Sequence, residues 1–373
     1  MKVVVIGGGI AGLTACTGIR KHHKTVEITL VEPKEYMEVH WCSYRSVFDE
    51  SVAANSLFNI GKWAVPKSIK HIREKVMDLK EDHAILSNRE TVEFNICVIA
   101  TGAIAKWSAL GRGPPHSPQQ GKISSRLKKL KEEGAKLLNA DSVLIVGGGL
   151  IGVETAGDLA SYAQKAGKSI KITLVHSGED LIPEYTPRAA TMVKNKLENL
   201  GVKVILNDKA IEHDDKWVLD SNGQELDASE VIKTTGIFSC APQCIKSPQL
   251  KSKFLDKKGW IQVDDYFRVK GLEQKFFAIG DCCDLLPNAA SQVVGNLATI
   301  GKNITVILDA IENDDVDLLQ NDVELTKKMR KAIQSAEMYV TTIGNKVSLV
   351  LCYVRVCGTW CSVVLGSFLL LLF

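Results

Sequence analysis

Short apolar runs recur along the chain, each closed by glycine or a polar turn. KVVVI at 2–6 runs into Gly7-Gly8-Gly9, and VEITLVE at 26–32 and NICVIATG at 95–102 follow; all three predict β-strands. Residues 123–138 space their apolar positions as a helix does, with Arg126, Lys128, Lys129 and Lys131 forming a basic face read as solvated. The order then restarts. SVLIVGGG at 142–149, KITLVHSG at 171–178 and EVIKTTG at 230–236 repeat KVVVIGGG, EITLVEP and CVIATG, with the glycine clusters 140 positions apart (147 − 7). This is a duplicated βαβ module rather than a short-period repeat. KFFAIGDCCD at 275–284 predicts another strand entering a Gly-Asp turn, 287–311 a helix, and the acidic 313–322 an exposed hinge. Strands alternating with helices give an α/β fold with two Rossmann-like domains.

The glycine clusters carry the chemistry. Gly7-x-Gly9-x-x-Gly12 and Gly147-x-Gly149-x-x-Gly152 each follow a strand and open a helix. In this pattern the first glycine permits the tight turn and the second lets the backbone approach a pyrophosphate. The third packs helix against sheet, and the helix N-terminus offers free N–H groups to phosphate. Glu32 ends the strand after the first loop, twenty positions beyond Gly12, where an acid accepts hydrogen bonds from an adenosine ribose. His176 stands at the equivalent place after the second loop, as a ribose contact or a plain loop histidine. An acid there would repel a 2′-phosphate, and no arginine stands beside it to attract one, so NADH and NADPH are both expected. Two dinucleotides side by side imply electron transfer, with FAD held on the first loop and NAD(P)H docking on the second.

Composition narrows the class. The 373 residues are 45% hydrophobic and 24% charged, as in soluble globular proteins, and a net charge of +3 gives a nucleic-acid partner no support. No secretory signal precedes the first strand, so a cytoplasmic protein with reduced thiols is expected. Ten cysteines are scattered without a C-x-x-C pair, and Cys240 with Cys244 lacks two further ligands for zinc. No metal site and no catalytic triad is expected.

The paired loops, together with Ala100-Thr101-Gly102, Thr235-Gly236 and Phe277-Ala278-Ile279-Gly280-Asp281, resemble the two-dinucleotide-binding flavoprotein reductases. Within that glutathione-reductase-like group, YMEVHWCSYRSVFDE at 36–50 and FFAIGDCCD ending at Asp284 are most similar to the ferroptosis suppressor branch. The resemblance covers roughly residues 1–311. It implies a split FAD domain (1–105 and 236–311), an inserted NAD(P)H domain (106–235) and a divergent segment (312–373). It further implies FAD on Gly7, Gly8, Gly9 and Gly12 with Glu32 at the ribose, Arg45 at the cofactor and Val76 at the adenine through its backbone. Thr101, Gly102 and Asp281 would face the flavin side, and Gly147, Gly149, Gly152 and Gly236 the nicotinamide dinucleotide. Glu154 is read either as a residue near the nicotinamide or as a helix-dipole partner. The implied activity is NAD(P)H oxidation through FAD with a quinone acceptor.

Cys42 stands alone in HWCSYRSV, so dithiol chemistry is not available there, although a single-cysteine NADH oxidase or disulfide reductase is an alternative. A low-turnover nucleotide-binding redox sensor is the alternative outside enzymes. After about residue 311 the resemblance fades. Residues 356–373 hold no charge, and Arg355 is the one charge in 347–373. That length approaches the roughly 20 residues of a spanning helix. Three readings follow: a membrane anchor with Lys327, Lys328, Arg330 and Lys331 on the cytosolic side, buried strands of a shortened cap, or an altered terminus.

Overall fold

The computed structural model describes residues 1–105, 119–183, 185–239, 244–271, 274–285, 290–333, 337–343, 347–356 and 359–366. Its centre is a parallel sheet with the strands in the order Phe276–Ala278, Ile96–Ile99, Lys2–Ile6, Glu27–Val31 and Ile69–Ile72. These strands are nearly continuous in apolar residues, as both faces of a parallel sheet are covered. The helix Ile10–His22 covers one face, with Ala11, Ala15, Cys16 and Ile19 buried. It crosses the helix Leu297–Glu312 at Gly18 and Gly301, where a Cβ on either residue would overlap the other helix's backbone.

A second parallel sheet repeats the plan, ordered Val202–Ile205, Lys171–Val175, Ser142–Val146 and Glu230–Lys233. The duplication extends further than the pattern of apolar runs predicts. Each module inserts a three-stranded antiparallel meander, 76–93 before Ile96–Ile99 in the first and 210–226 before Glu230–Lys233 in the second. The two chain crossings between the modules pair as an antiparallel ribbon, Ala103–Ala105 with Ile237–Ser239.

Three expectations are corrected. Arg126 belongs to no solvated basic face: it is 4% exposed and forms a forked ion pair with Glu38, which is 6% exposed, at 2.7 and 3.0 Å. Lys128 and Lys131 do face solvent, paired with Glu132 and Glu50. The acidic stretch 313–322 is no hinge, because Asp315 and Asn321 cap two short helices, Val316–Gln320 and Asp322–Lys328. Asp322 also pairs with Arg268 at 2.6 Å, anchoring the stretch to the first module. The predicted helix 287–311 is two helices, Ala290–Gly295 and Leu297–Glu312; residues 287–289 lie outside the described ones.

The apolar terminus forms strands. Glu337–Ile343, Val347–Val356 and Thr359–Gly366 build an antiparallel sheet, and its first strand runs alongside the helix Leu150–Lys165. No helix among the described residues is long and apolar enough to cross a membrane, and residues 367–373 lie outside the described ones. Residues 347–356 and 359–366 are strands in the structure.

Burial pushes the Glu38 carboxyl up, but Arg126 outweighs this and holds it below the usual value of 4.5. A depressed acid stabilises the fold fully above its unfolded pKa, and that share is lost as pH falls through the folded value. Glu38→Gln should cost about 3–5 kcal/mol in urea unfolding by leaving a buried guanidinium without its counter-charge. Replacing both residues with methionine should recover most of that loss; equal cost for the single and double variants would refute the pairing.

Candidate functional site

Each glycine loop begins as an extension of its sheet. Gly7 N–H donates to the Val31 carbonyl at 2.9 Å, and Gly147 N–H to the Val175 carbonyl at 2.8 Å. Both glycines hold positive φ, +107° and +113°, so the chain turns sharply off the strand end. Gly9 and Gly149 are the N-cap residues of the two loop helices, and neither helix start carries a side-chain cap. A Cβ at Gly9 or Gly149 would meet no protein atom within 4 Å. Each loop thus opens its main-chain amides to free space, as a pyrophosphate requires.

The other sequence-predicted residues gather at the carboxyl ends of the same strands, where ligands of open α/β sheets bind. Glu32 is buried; its Oε2 accepts from Gly8 N–H at 2.7 Å and its Oε1 from Lys34 N–H at 3.0 Å. An ionised carboxylate has lone pairs left for ribose hydroxyls. Thr101 and Gly102 follow the strand Ile96–Ile99, with Gly102 at φ +68° and open on its side-chain face. Gly280, just before Asp281, lies against the first-loop helix, since a Cβ there would stand 2.6 Å from the Ala11 Cβ. Val76 opens the first meander, its side chain buried in one core cluster with Val31. In the second module Thr234 repeats the geometry of Ala100, donating through its N–H to the strand Ser142–Val146 as Ala100 does to Lys2–Ile6. Gly236 follows at φ +83°. Gly148 N–H donates to His176 Nδ1 at 3.2 Å, with Gly152 and Glu154 on the helix behind.

The structure adds a junction that the sequence reading missed. Arg45, on the short helix Ser43–Ser46, pairs at 3.0 Å with Asp158 on the second-loop helix. Asp158 is 2% exposed and Arg45 29%. One helical turn on, Tyr162 O–H donates to Asp49 at 2.9 Å and stacks on Phe48 with ring centroids 5.6 Å apart. Asp158 lies four residues after Glu154, on the same face of one helix, and this spacing was the signal available. Glu154 and Cys42 both lie within electrostatic reach of Arg45. Burial pushes the Cys42 thiol above 9.0; Arg45 pulls it partly back and Glu154 raises it further.

Comparison with known proteins gives this geometry its setting. Residues 1–344 match the family model for pyridine nucleotide-disulphide oxidoreductases. The chain belongs to this family. Its cofactors are FAD and NAD(P)H, and the two open loops fit them. Ferroptosis suppressor protein 1 of Xenopus tropicalis is 29% identical over 301 residues, covering 76% of this chain and 74% of the relative. Apoptosis-inducing factor 1 of Saccharomyces cerevisiae is 26% identical over 292 residues, covering 75% and 73%. Among solved structures, the sulfide:quinone oxidoreductase of Aquifex aeolicus aligns with a TM-score of 0.71 at 16% identity, over 94% of this chain and 83% of that one. The NAD-dependent persulfide reductase of A. fulgidus aligns at 0.68 and 19%, over 95% of this chain, which spans 64% of that protein. These two likenesses establish the fold.

Within the family dithiol reduction needs two neighbouring cysteines, and Cys42 is the only one between Cys16 and Cys97. Cys240 and Cys357 lie outside the described residues. The other potential metal group among the described residues is His23, Asp309 and Glu312. His23 Nδ1 accepts from Val26 N–H at 3.1 Å, so the ring offers an N–H, not a lone pair, toward Glu312.

Two outcomes are expected. Asp158→Asn should lower stability by roughly 1–3 kcal/mol, less than a fully buried pair because Arg45 keeps solvent contact. Iodoacetamide should label Cys42 slowly at neutral pH and faster as the pH rises beyond 9.0. Rapid labelling at neutral pH would show a thiolate and contradict the second.

Proposed function

We propose that the protein is an FAD-dependent NAD(P)H:quinone oxidoreductase. The carrying observation is the pair of open glycine cradles bridged by Arg45 and Asp158, beside Cys42, which has no other cysteine between positions 16 and 97 of the sequence. The reaction balances as NAD(P)H plus a proton plus quinone giving NAD(P)⁺ plus hydroquinone. FAD, when bound, supplies a ring that accepts a hydride and releases electrons onward. The chain supplies position: the helix-start amides from Gly9 onward for one pyrophosphate, those from Gly149 onward for the other, and Glu32 for the ribose. Arg45 keeps a fixed positive charge between the modules. Similarity to proteins named for ferroptosis suppression and for sulfide:quinone chemistry supports the quinone as acceptor.

The proposal extends to a lipid-soluble quinone and a cytoplasmic enzyme that meets it at a membrane surface. Support is compositional: Val347–Val356 and Thr359–Gly366 are apolar save for Arg355 and a few small polar residues. Strands of this composition suit contact with lipid or an isoprenoid tail better than contact with water.

The test is an anaerobic NADH titration of the flavin-loaded protein, followed at the visible flavin band. Bleaching at about one equivalent per flavin, with colour restored by a soluble quinone, is the expected result. Cys42→Ala should leave both steps intact. Bound flavin that does not bleach would overturn the reductase reading, and loss of quinone reduction in Cys42→Ala would move the chemistry to the thiol.

A further inference from the structure

We propose that the end of the helix Ile10–His22, Lys302 and the strap 330–333 form a docking face for an anionic lipid leaflet. Docking there would serve the lipid-soluble acceptor proposed above and rests on that reading for its purpose, while vesicle binding tests it separately. Side chains that the nucleotide loops do not use build the face. Asn303 exchanges hydrogen bonds with the Arg330 N–H and carbonyl at 2.7 and 2.8 Å, and Asn296 does the same with Ile333 at 2.7 Å each. Arg330 is thereby held close to Lys302 on the helix Leu297–Glu312. The His22 ring lies over the preceding residue, since a Cβ at Gly301 would stand 2.8 Å from its Cδ2.

The charges at this place are left open. Lys21, Lys24 and Arg330 are exposed. Among the described residues no carboxylate pairs with them or with Lys302, whereas nearby Lys327 pairs with Glu324 and Lys331 with Asp265. His22 feels the resulting field: partial burial, and then the charges of Arg330, Lys21, Lys302 and Lys24, hold it below its usual 6.5. Carboxylates gather farther along, where Glu312 approaches His23 at 3.7 Å with Asp309 beside it, so the basic face has an edge.

Two exposed apolar side chains join the cations. Ile333 is 57% exposed and Val294 48%. Val293, the neighbour of Val294, packs toward Gly280, where a Cβ would stand 3.9 Å from its Cγ2. The apolar end of the face therefore adjoins the turn that carries Asp281, and the basic end lies away from it. Apolar side chains entering a leaflet while cations meet its headgroups is the pattern of peripheral membrane contact. An acidic protein or a nucleic acid would use the cations and leave Ile333 and Val294 in water; a leaflet uses both.

The experiment is co-sedimentation of the flavin-loaded protein with vesicles of phosphatidylcholine, with and without phosphatidylserine. Wild type should bind the anionic vesicles more tightly, and salt should release it. Each cation near an anionic leaflet multiplies binding about fivefold, so Lys21→Gln/Lys302→Gln/Arg330→Gln should weaken it by roughly a hundredfold. Arg188→Gln/Lys203→Gln/Lys209→Gln removes as much charge from the second module and should change binding less than about threefold. Val294→Ser/Ile333→Ser should weaken binding to both kinds of vesicle. Both triple variants should keep wild-type turnover with a soluble quinone. Equal wild-type binding to the two kinds of vesicle, or equal losses in the two triple variants, would overturn the docking face. Binding to an acidic protein or a nucleic acid but not to vesicles would do the same. Absence of soluble-quinone turnover in wild type, with vesicle binding retained, would remove the reductase reading and leave the docking face standing.

Discussion

Both nucleotide loops depend on one steric constraint: the third glycine must let its helix start rest on the carbonyl of the first. A Cβ on Gly12 would overlap the Gly7 carbonyl, and a Cβ on Gly152 the Gly147 carbonyl. With hydrogen in that place, each helix begins directly over the end of its strand, and its amides aim at the crevice beyond the sheet. The remaining site residues need no special device to reach the crevice. Parallel strands all end on the same side, so Thr101, Asp281 and Gly236 arrive there by topology.

The constraint fixes each cradle to its own sheet but says nothing of one cradle relative to the other. That relation falls to the segment 42–50 and the second-loop helix. The Arg45–Asp158 pair, the Asp49–Tyr162 hydrogen bond and the Phe48–Tyr162 stack lie within about one helical turn of each other. A buried charge pair is weak as a source of stability yet exacting in geometry, because either partner alone is costly. Such a contact holds a register between two bodies better than an apolar patch, which tolerates sliding.

How much of this was legible in the sequence depends on period and burial. The parallel strands and both loops were readable because continuous apolar runs ending in glycine have few other meanings. The meanders were not: VMDL, HAIL and TVE in the first module, and AIEH, KWVL and EL in the second, are too short to show alternation. Arg126 was misread because charge in a helical pattern signals solvent, and its partner Glu38 lies 88 residues away. The break at Asn296 has a similar cause. Its amide grips Gln292 and Ile333, and Asn303 grips Tyr266 and Arg330, so two buried asparagines bind the segment 330–333 to the helix Leu297–Glu312. One-dimensional patterns carry no trace of a side-chain amide that pairs with distant backbone.

The junction also bears on which electron carriers the site can use. A thiolate at Cys42 would need a cation to offset its burial, and Arg45 is the cation in reach. That guanidinium is already engaged by Asp158, and Glu154 adds a second negative charge to the same neighbourhood. Asp158 needs Arg45 in its turn, since burial pushes its carboxyl up and the guanidinium pulls it back. Any shift of Arg45 toward the thiol would leave that carboxylate buried without compensation, at a cost of several kcal/mol. Burial is thus the main reason the thiol sits above its usual value, and the guanidinium that pulls it back is the one held by Asp158 across the two modules.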